Sequence, residues 1–390
     1  MAPLAFAAGF SVVVLEKELV IGLPPVKLNT RTDTNEDTIG RRQTKEINKY
    51  FLRINDTSVD NAEKRIVWLI SFPNSGTSYT SKLVKRVSGI STATNYGEES
   101  LYIDPTTGGN IPVISSSPSG PFWSSSRASK TNNGLILTKT HCGGRCVNCP
   151  ANEYLSTLDT FYNDCRTAKR YATTFTNTTT KLNTTTSTIV KKYHKELELV
   201  KYDAEKIVSK AIHLIRNPIS NIVARFHLAH KRSKKKGEEG EFSNQFPNNK
   251  EGFREWCHYL DTKESYVEAE QRHLSSQGWS EDVIRAFEGV PCHADFFRYA
   301  QWHNLAFETV AKMQIPELAI RYENYETTFD YTLQSILNFL EITSAVGKPK
   351  SFVSGKTYAD YFTEDEIGKA EELLRLVSSA KTWDHVKLYF

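Results

Sequence analysis

The chain has 390 residues, 39% of them hydrophobic, 11% aromatic and 24% charged, with a formal net charge of +4. That apolar content supports a sizeable buried core, and so slight a basic surplus argues against nucleic acid as a partner. No apolar run reaches bilayer length, so no integral membrane span is expected, which leaves a soluble globular protein, with an enzyme as the expected class.

Residues 1–60 read as an irregular N-terminal extension, with TRTDTNEDTIGRRQ (30–43) as a surface linker. The apolar stretch from Pro3 to Leu15 has the length of a signal-peptide core, but no basic residue precedes it. A buried strand, a disordered end and a truncated targeting segment all fit it. Residues 61–390 read as one domain, with insertions near 142–192 and 231–295.

RIVWLIS (65–71) is almost continuously apolar, as a strand buried on both faces requires. FPNSGTS (72–78) breaks it, and SYTSKLVKRVS (78–88) resumes with helical spacing of Tyr79, Leu83 and Val84. LILT (135–138) is a second strand and leads into KTHCGG. AIHLI (211–215) is a third and leads into Arg216-Asn217-Pro218 and a helical stretch over 220–232. A helical stretch over 302–313 precedes the fourth strand, ELAIRY (317–322). Short buried strands alternating with helices predict an α/β fold: a central parallel β-sheet flanked by helices on both faces.

Two segments read as exposed loops. One is the threonine-rich run 172–188, which carries the sequons at Asn177 and Asn183; a third sequon is at Asn55. The other is KRSKKKGEEGEFSNQFPNN (231–249), a solvated loop or a mobile lid for an anionic substrate. Six cysteines, Cys142, Cys146, Cys149, Cys165, Cys257 and Cys292, allow three disulfides of undetermined pairing, free thiols or a zinc site. Sequons and cysteines together lean towards the secretory pathway.

A buried strand followed by a tight turn and a helix is an anion site, because backbone N–H groups and the helix dipole converge there. In FPNSGTS, Gly76 permits close backbone approach, while Ser75, Thr77 and Ser78 add hydroxyls. The pattern G-x-x-x-x-G-K-[ST] is absent, so ATP or GTP is not the expected ligand. Arg216 at a strand end suits a bidentate contact with phosphate or carboxylate, or a salt bridge to a neighbouring acid.

Together these segments resemble the sulfotransferase family, whose members move a sulfuryl group from 3′-phosphoadenosine 5′-phosphosulfate (PAPS) to an acceptor. FPNSGTSYTSKL is similar to the family's 5′-phosphosulfate loop and RNPISNIVARFH to its 3′-phosphate segment. LTKTHCGG matches a K-T-H segment, and the stretch from Glu317 to Ile342 is similar to the family's stretch ending in R-Y-E-D-L … F-L. The likeness runs in order from about residue 65 to residue 390 and implies a P-loop-like nucleotide fold with loop insertions.

The resemblance implies that Asn74, Ser75, Gly76, Thr77 and Ser78 hold the phosphosulfate and Arg216 the 3′-phosphate. It implies catalytic roles for Lys139 and His141, with His141 as general base, a structural histidine or a metal ligand. Glu98 or Glu99 is the alternative base. A C-terminal lid falls in 346–362, where Lys350 or Lys356 adds charge. Two positions depart from the pattern. Asn74 replaces the usual lysine, and Ala224 stands where a serine is expected; Ser220, one turn earlier, or Asn221 takes that place. The expected function is transfer from PAPS, without a metal, to a hydroxyl of a carbohydrate or a small alcohol such as a sterol. A catalytically inactive nucleotide- or glycan-binding relative is the alternative. The Golgi lumen is the favoured location, with the cytoplasm as alternative.

Overall fold

The computed structural model describes residues 66–97, 100, 110–114, 120–125, 134–143, 157–183, 186–236, 239–262, 281–343, 345–353 and 358–390. The N-terminal extension, Asn55, Glu98, Glu99, Cys146, Cys149 and Lys356 lie outside these residues.

The strands are β1 (Ile66–Ser71), β2 (Ser91–Thr94), β3 (Trp123–Ser124), β4 (Ile136–Thr140), β5 (Thr167–Asn183), β6 (Thr186–Lys201), β7 (Val208–Ile215) and β8 (Glu317–Arg321). Six form one sheet in the order β3-β2-β4-β1-β7-β8. Only β3 runs antiparallel, at the edge; every other pairing is parallel. β1 is central, and all six of its residues are buried. That is why its sequence is an unbroken apolar run rather than an alternation.

Strand alternation sends Trp68, Ile70 and Phe72 to one side and Val67 and Leu69 to the other. The first side packs against helices α3 (Pro218–Lys236), α5 (Lys250–Thr262), α6 (His293–Lys312) and α8 (Glu364–Val377). The second packs against α1 (Thr77–Ser88) and α7 (Phe329–Phe339). The connection from β1 runs towards β2, whereas the one from β4 passes β1 to reach β7. The crevice beyond the carboxyl end of β1 therefore lies at a topological switch point, the usual ligand position in such sheets.

Two sequence expectations are corrected. The threonine-rich run is not a loop: β5 and β6 pair along their length as an antiparallel ribbon. Threonine is β-branched and fits a pleated strand, so polarity misled where conformational preference did not. The stretch 231–249 is not a loop either. α3 continues through Lys236, and α4 (Glu239–Gln245) follows. Lysine and arginine are good helix formers, and nothing before Gly237 interrupts the helix.

Four cysteines are paired, Cys142 with Cys165 and Cys257 with Cys292. The first bond ties the chain just after β4 to the end of α2 (Leu158–Cys165). With its sulfur in that bond, Cys142 is not a zinc ligand.

Candidate active site

The turn between β1 and α1 is built by backbone geometry. Asn74 has φ 69° and Gly76 φ 91°, both in the left-handed region. Asparagine tolerates that region better than longer side chains do. At Gly76 a Cβ would lie 2.2 Å from Tyr322 Cδ2, so the ring of Tyr322 packs directly on the glycine. The first N–H groups of α1 have no partner within the helix and lie at its positive end.

The hydroxyls of the turn are largely committed to protein. Ser75 Oγ accepts from Asn221 Nδ2 at 3.1 Å, and Thr77 Oγ1 lies 2.5 Å from Ser71 Oγ. Asn221 also donates to the carbonyl of Pro73 at 3.0 Å, so the first turn of α3 holds the loop from behind. Ser78 is exposed. The loop therefore offers an anion its backbone N–H groups more than its serine and threonine side chains.

Arg216 follows β7 directly and its Nη1 donates to the carbonyl oxygen of Asn74 at 2.8 Å. Its guanidinium lies over the Tyr322 ring, 5.0 Å from the centroid. Its own carbonyl accepts from Tyr299 Oη at 2.7 Å. Burial holds the Tyr299 phenol well above its ordinary pKa, so it stays a neutral donor. Among the described residues Arg216 forms no ion pair. Arg216 Nε and Asn74 Nδ2 are buried donors without a hydrogen-bond partner among the described residues. Buried unpaired donors cost folding free energy, and two of them on residues that meet at one turn suit an oxyanion ligand.

Asn217 caps α3, its Oδ1 accepting from Ser220 N at 3.0 Å. Ser220 is half-buried in that first turn, whereas Asn221 is fully buried against the loop. Of these two, Asn221 is the one whose side chain reaches the loop.

His141 lies just past β4, next to the end of β1. Its Nδ1 is 2.7 Å from the carbonyl oxygen of Ser71 and 3.3 Å from Ser71 Oγ. A carbonyl only accepts, so Nδ1 carries the proton and Nε2 holds the lone pair. The backbone is pinned as well: His141 N–H donates to Tyr96 Oη at 2.8 Å, and Trp302 Nε1 donates to its carbonyl at 2.8 Å. The ring stacks on Tyr96 at 5.9 Å. Lys139, two residues earlier, is half-buried and pairs with Leu69 in register, on the α1 side of the sheet.

An aromatic wall flanks the loop, and the sequence reading did not single it out. Tyr79 meets Tyr325 at 5.0 Å and Phe352 at 5.2 Å, both edge-to-face. Residues 345–353 run along α1, with Tyr79 Oη and Arg86 Nε donating to the carbonyls of Lys350 and Lys348. A cavity of about 410 Å³ opens here, lined by Tyr325, Phe329, Pro349 and Phe352 among others. The sequence signals were Tyr79, three residues beyond the glycine, and the lid expected over 346–362. Ser71 and Trp302 were also missed as site residues, since neither belongs to a local motif, and Tyr322 was read only as part of the R-Y-E stretch.

The family model of the sulfotransferase domain matches residues 64–361. No curated protein matches the chain. Among solved structures, mouse sulfotransferase SULT7A1 complexed with PAP is 13% identical, with a TM-score of 0.34, and the alignment covers 85% of this chain and 90% of that one.

Proposed function

The chain belongs to the sulfotransferase family, and from that premise we propose that it transfers the sulfuryl group of PAPS to an acceptor hydroxyl at the end of β1. The observation that carries this reading is the pair of unpartnered buried donors, Asn74 Nδ2 and Arg216 Nε, beside a left-handed turn at a helix start.

In this reading the N–H groups of Gly76, Thr77 and Ser78 hold the 5′-phosphosulfate, and Arg216 holds the 3′-phosphate. Tyr79 and Phe352 flank the adenine. His141 Nε2 takes the acceptor's proton as its oxygen bonds to sulfur and the bond from sulfur to the 5′-phosphate oxygen breaks. Adenosine 3′,5′-bisphosphate is the leaving product. Lys139 supplies positive charge where negative charge develops on that bridging oxygen, and Asn74 supplies a hydrogen-bond donor. Asn74 brings no charge, so Lys139 carries the charge that the family's loop lysine would bring. Residues 346–353, with Lys350, form the C-terminal edge of the nucleotide site. No metal is required of this transfer.

The acceptor is a carbohydrate or another alcohol, and the lumen of the secretory pathway is the compartment. The two disulfides support that compartment, because such bonds persist under oxidising conditions. The domain spans residues 61–390.

Calorimetric titration with adenosine 3′,5′-bisphosphate, with ATP as control, tests the nucleotide site. Micromolar binding of the bisphosphate alone is expected. Binding of neither nucleotide overturns the reading, and binding without turnover of labelled PAPS across acceptor classes points to an inactive relative.

A further inference from the structure

Ser71 closes β1 with a hydroxyl after an unbroken apolar run. Strand alternation sends its side chain to the side of Val67 and Leu69, beneath α1. The chain then doubles back through the left-handed residues Asn74 and Gly76. Thr77, the first residue of α1, thereby comes to lie beside Ser71, with its Oγ1 at 2.5 Å from Ser71 Oγ. His141 stands one residue past the last registered pair of β1 and β4, Ile70 with Thr140, and its Nδ1 reaches the same hydroxyl at 3.3 Å. Two strand ends and one helix start thus converge on a single serine oxygen. Ser71, Thr77 and His141 are all buried.

The order of protons along this row follows from its ends. Nδ1 carries a proton, because its closest partner is the Ser71 carbonyl at 2.7 Å, which only accepts. Ser71 Oγ is therefore a second acceptor for Nδ1–H and cannot donate to it. A buried hydroxyl proton needs an acceptor, and among the described residues Ser71 has Thr77 Oγ1 for this. Accepting there, Thr77 keeps its own proton, and its hydroxyl forms no other hydrogen bond among the described residues. The donors run in one direction, from the histidine to the positive end of α1.

We propose that Ser71 is a positioning residue for the transfer: its hydroxyl couples the nucleotide anion at Thr77 to His141, so that the base is set when the nucleotide is in place. This rests on the sulfuryl-transfer reading and adds to it a residue that touches neither substrate. Taking the acceptor's proton makes His141 an imidazolium, with that proton on Nε2 and the original one still on Nδ1. No proton travels along the row. Its hydrogen bonds instead polarise one another in a low-dielectric interior, with the Ser71 oxygen facing the cationic ring. An anion at the far end strengthens that polarisation and favours the charged ring. Without the anion, the last proton of the row has no acceptor and the order is not held.

The test needs no acceptor. The full chain carries isotope-labelled histidine, His141→Ala identifies the His141 ring signals by NMR, and adenosine 3′,5′-bisphosphate is titrated in at constant pH. Calorimetry gives the affinity of each variant. In the wild type the free ring should show its proton on Nδ1, and the bisphosphate should shift the His141 ring nitrogens. Ser71→Ala should bind with wild-type affinity and lose that shift. Ser71→Thr, which keeps the hydroxyl and suits a strand end, should restore it. Thr77→Val keeps the backbone N–H and removes the hydroxyl; at saturating bisphosphate it should also lose the shift, and it reads the row if Ser71→Ala does not fold. An undiminished shift in Ser71→Ala or Thr77→Val, or a free ring protonated on Nε2 alone, overturns the proposal. Affinity lost together with the shift in Ser71→Ala makes Ser71 a structural residue of the loop and overturns it too. Wild-type binding without a ring shift defeats the coupling alone, whereas no wild-type binding defeats the nucleotide reading on which it rests.

Discussion

His141 Nδ1 stands 2.7 Å from the carbonyl oxygen of Ser71, the last residue of β1 and the start of the turn into α1. One backbone atom thus fixes the tautomer of the candidate base and ties it to the candidate anion-binding loop. Removing that base by His141→Ala should lower kcat by about 10²–10⁴-fold, the usual range for a positioned general base. Adenosine 3′,5′-bisphosphate affinity should not change, because the proposed role of His141 is towards the acceptor. Initial rates and calorimetry on one preparation separate the two effects. Persisting turnover would transfer the role to Glu98 or Glu99.

Arg216 is held by its neighbours before any ligand arrives. Tyr299 bonds its carbonyl, Tyr322 lies under its guanidinium, and its Nη1 reaches the carbonyl of Asn74. Arg216→Ala should weaken bisphosphate binding by about 2–5 kcal/mol, the scale for truncating one member of a buried charged contact. Arg216→Lys should recover little of it, since a single ammonium cannot reproduce the planar fork over Tyr322. Unchanged affinity in the alanine variant would remove Arg216 from the site.

At Asn74 the sequence and the backbone explain each other. With φ at 69°, a lysine here would adopt a left-handed conformation at a cost of about 1–2 kcal/mol. Asn74→Lys should therefore lower the melting temperature, whatever its charge does for the leaving group. Asn74→Gly should keep the melting temperature and lower the rate, because it retains the turn and loses the Nδ2 donor. A glycine variant as active as wild type would show that the side chain plays no part.

The sheet was legible because parallel strands buried on both faces read as apolar runs, as in Ile66–Ser71 and the segment 211–215. The loop and Arg216 were legible because each is a local pattern at a strand end. What stayed hidden depends on contacts far apart in sequence. Asn221 reaches Ser75 across 146 residues, and Tyr322 packs on Gly76 from the far side of the chain. The ribbon was hidden for another reason. Its strands pair only with each other in their sheet, so they need no apolar run, and threonine content reads as loop. Spacing could not assign the partner of Cys142, since connectivity is a tertiary property.

The two disulfides should separate stability from catalysis. Cys142–Cys165 spans 23 residues and Cys257–Cys292 spans 35, so removing either should cost about 3–4 kcal/mol by loop entropy. Only the first adjoins His141. Replacing Cys142 and Cys165 by serine should lower kcat as well as the melting temperature. Replacing Cys257 and Cys292 should lower the melting temperature alone. Equal effects on kcat would mean that the first bond does not position the base.

A buried histidine pair makes stability fall in acid. His213 Nε2 lies 2.8 Å from His303 Nδ1, and His213 Nδ1 lies 3.1 Å from Glu317 Oε1, whose other oxygen accepts from Lys381 at 2.6 Å. Burial depresses the pKa of His213, despite the opposing pull of Glu317. Burial, with His213 and His385 nearby, holds His303 well below the ordinary histidine range. Both folded-state values lie under the unfolded value of about 6.5, so the unfolded chain binds protons that the folded chain resists. Stability from this pair is complete above about pH 6.5 and declines as the pH drops below it. Glu317, whose pKa is lowered by His213 and Lys381 against its own burial, extends the decline below the ordinary carboxylate range. Melting temperatures measured between about pH 4.5 and 7.5 should therefore decline on the acid side. His303→Gln, which removes one titrating ring and keeps a donor for His213, should flatten that decline. An equally steep acid limb in the variant would show that the decline arises elsewhere.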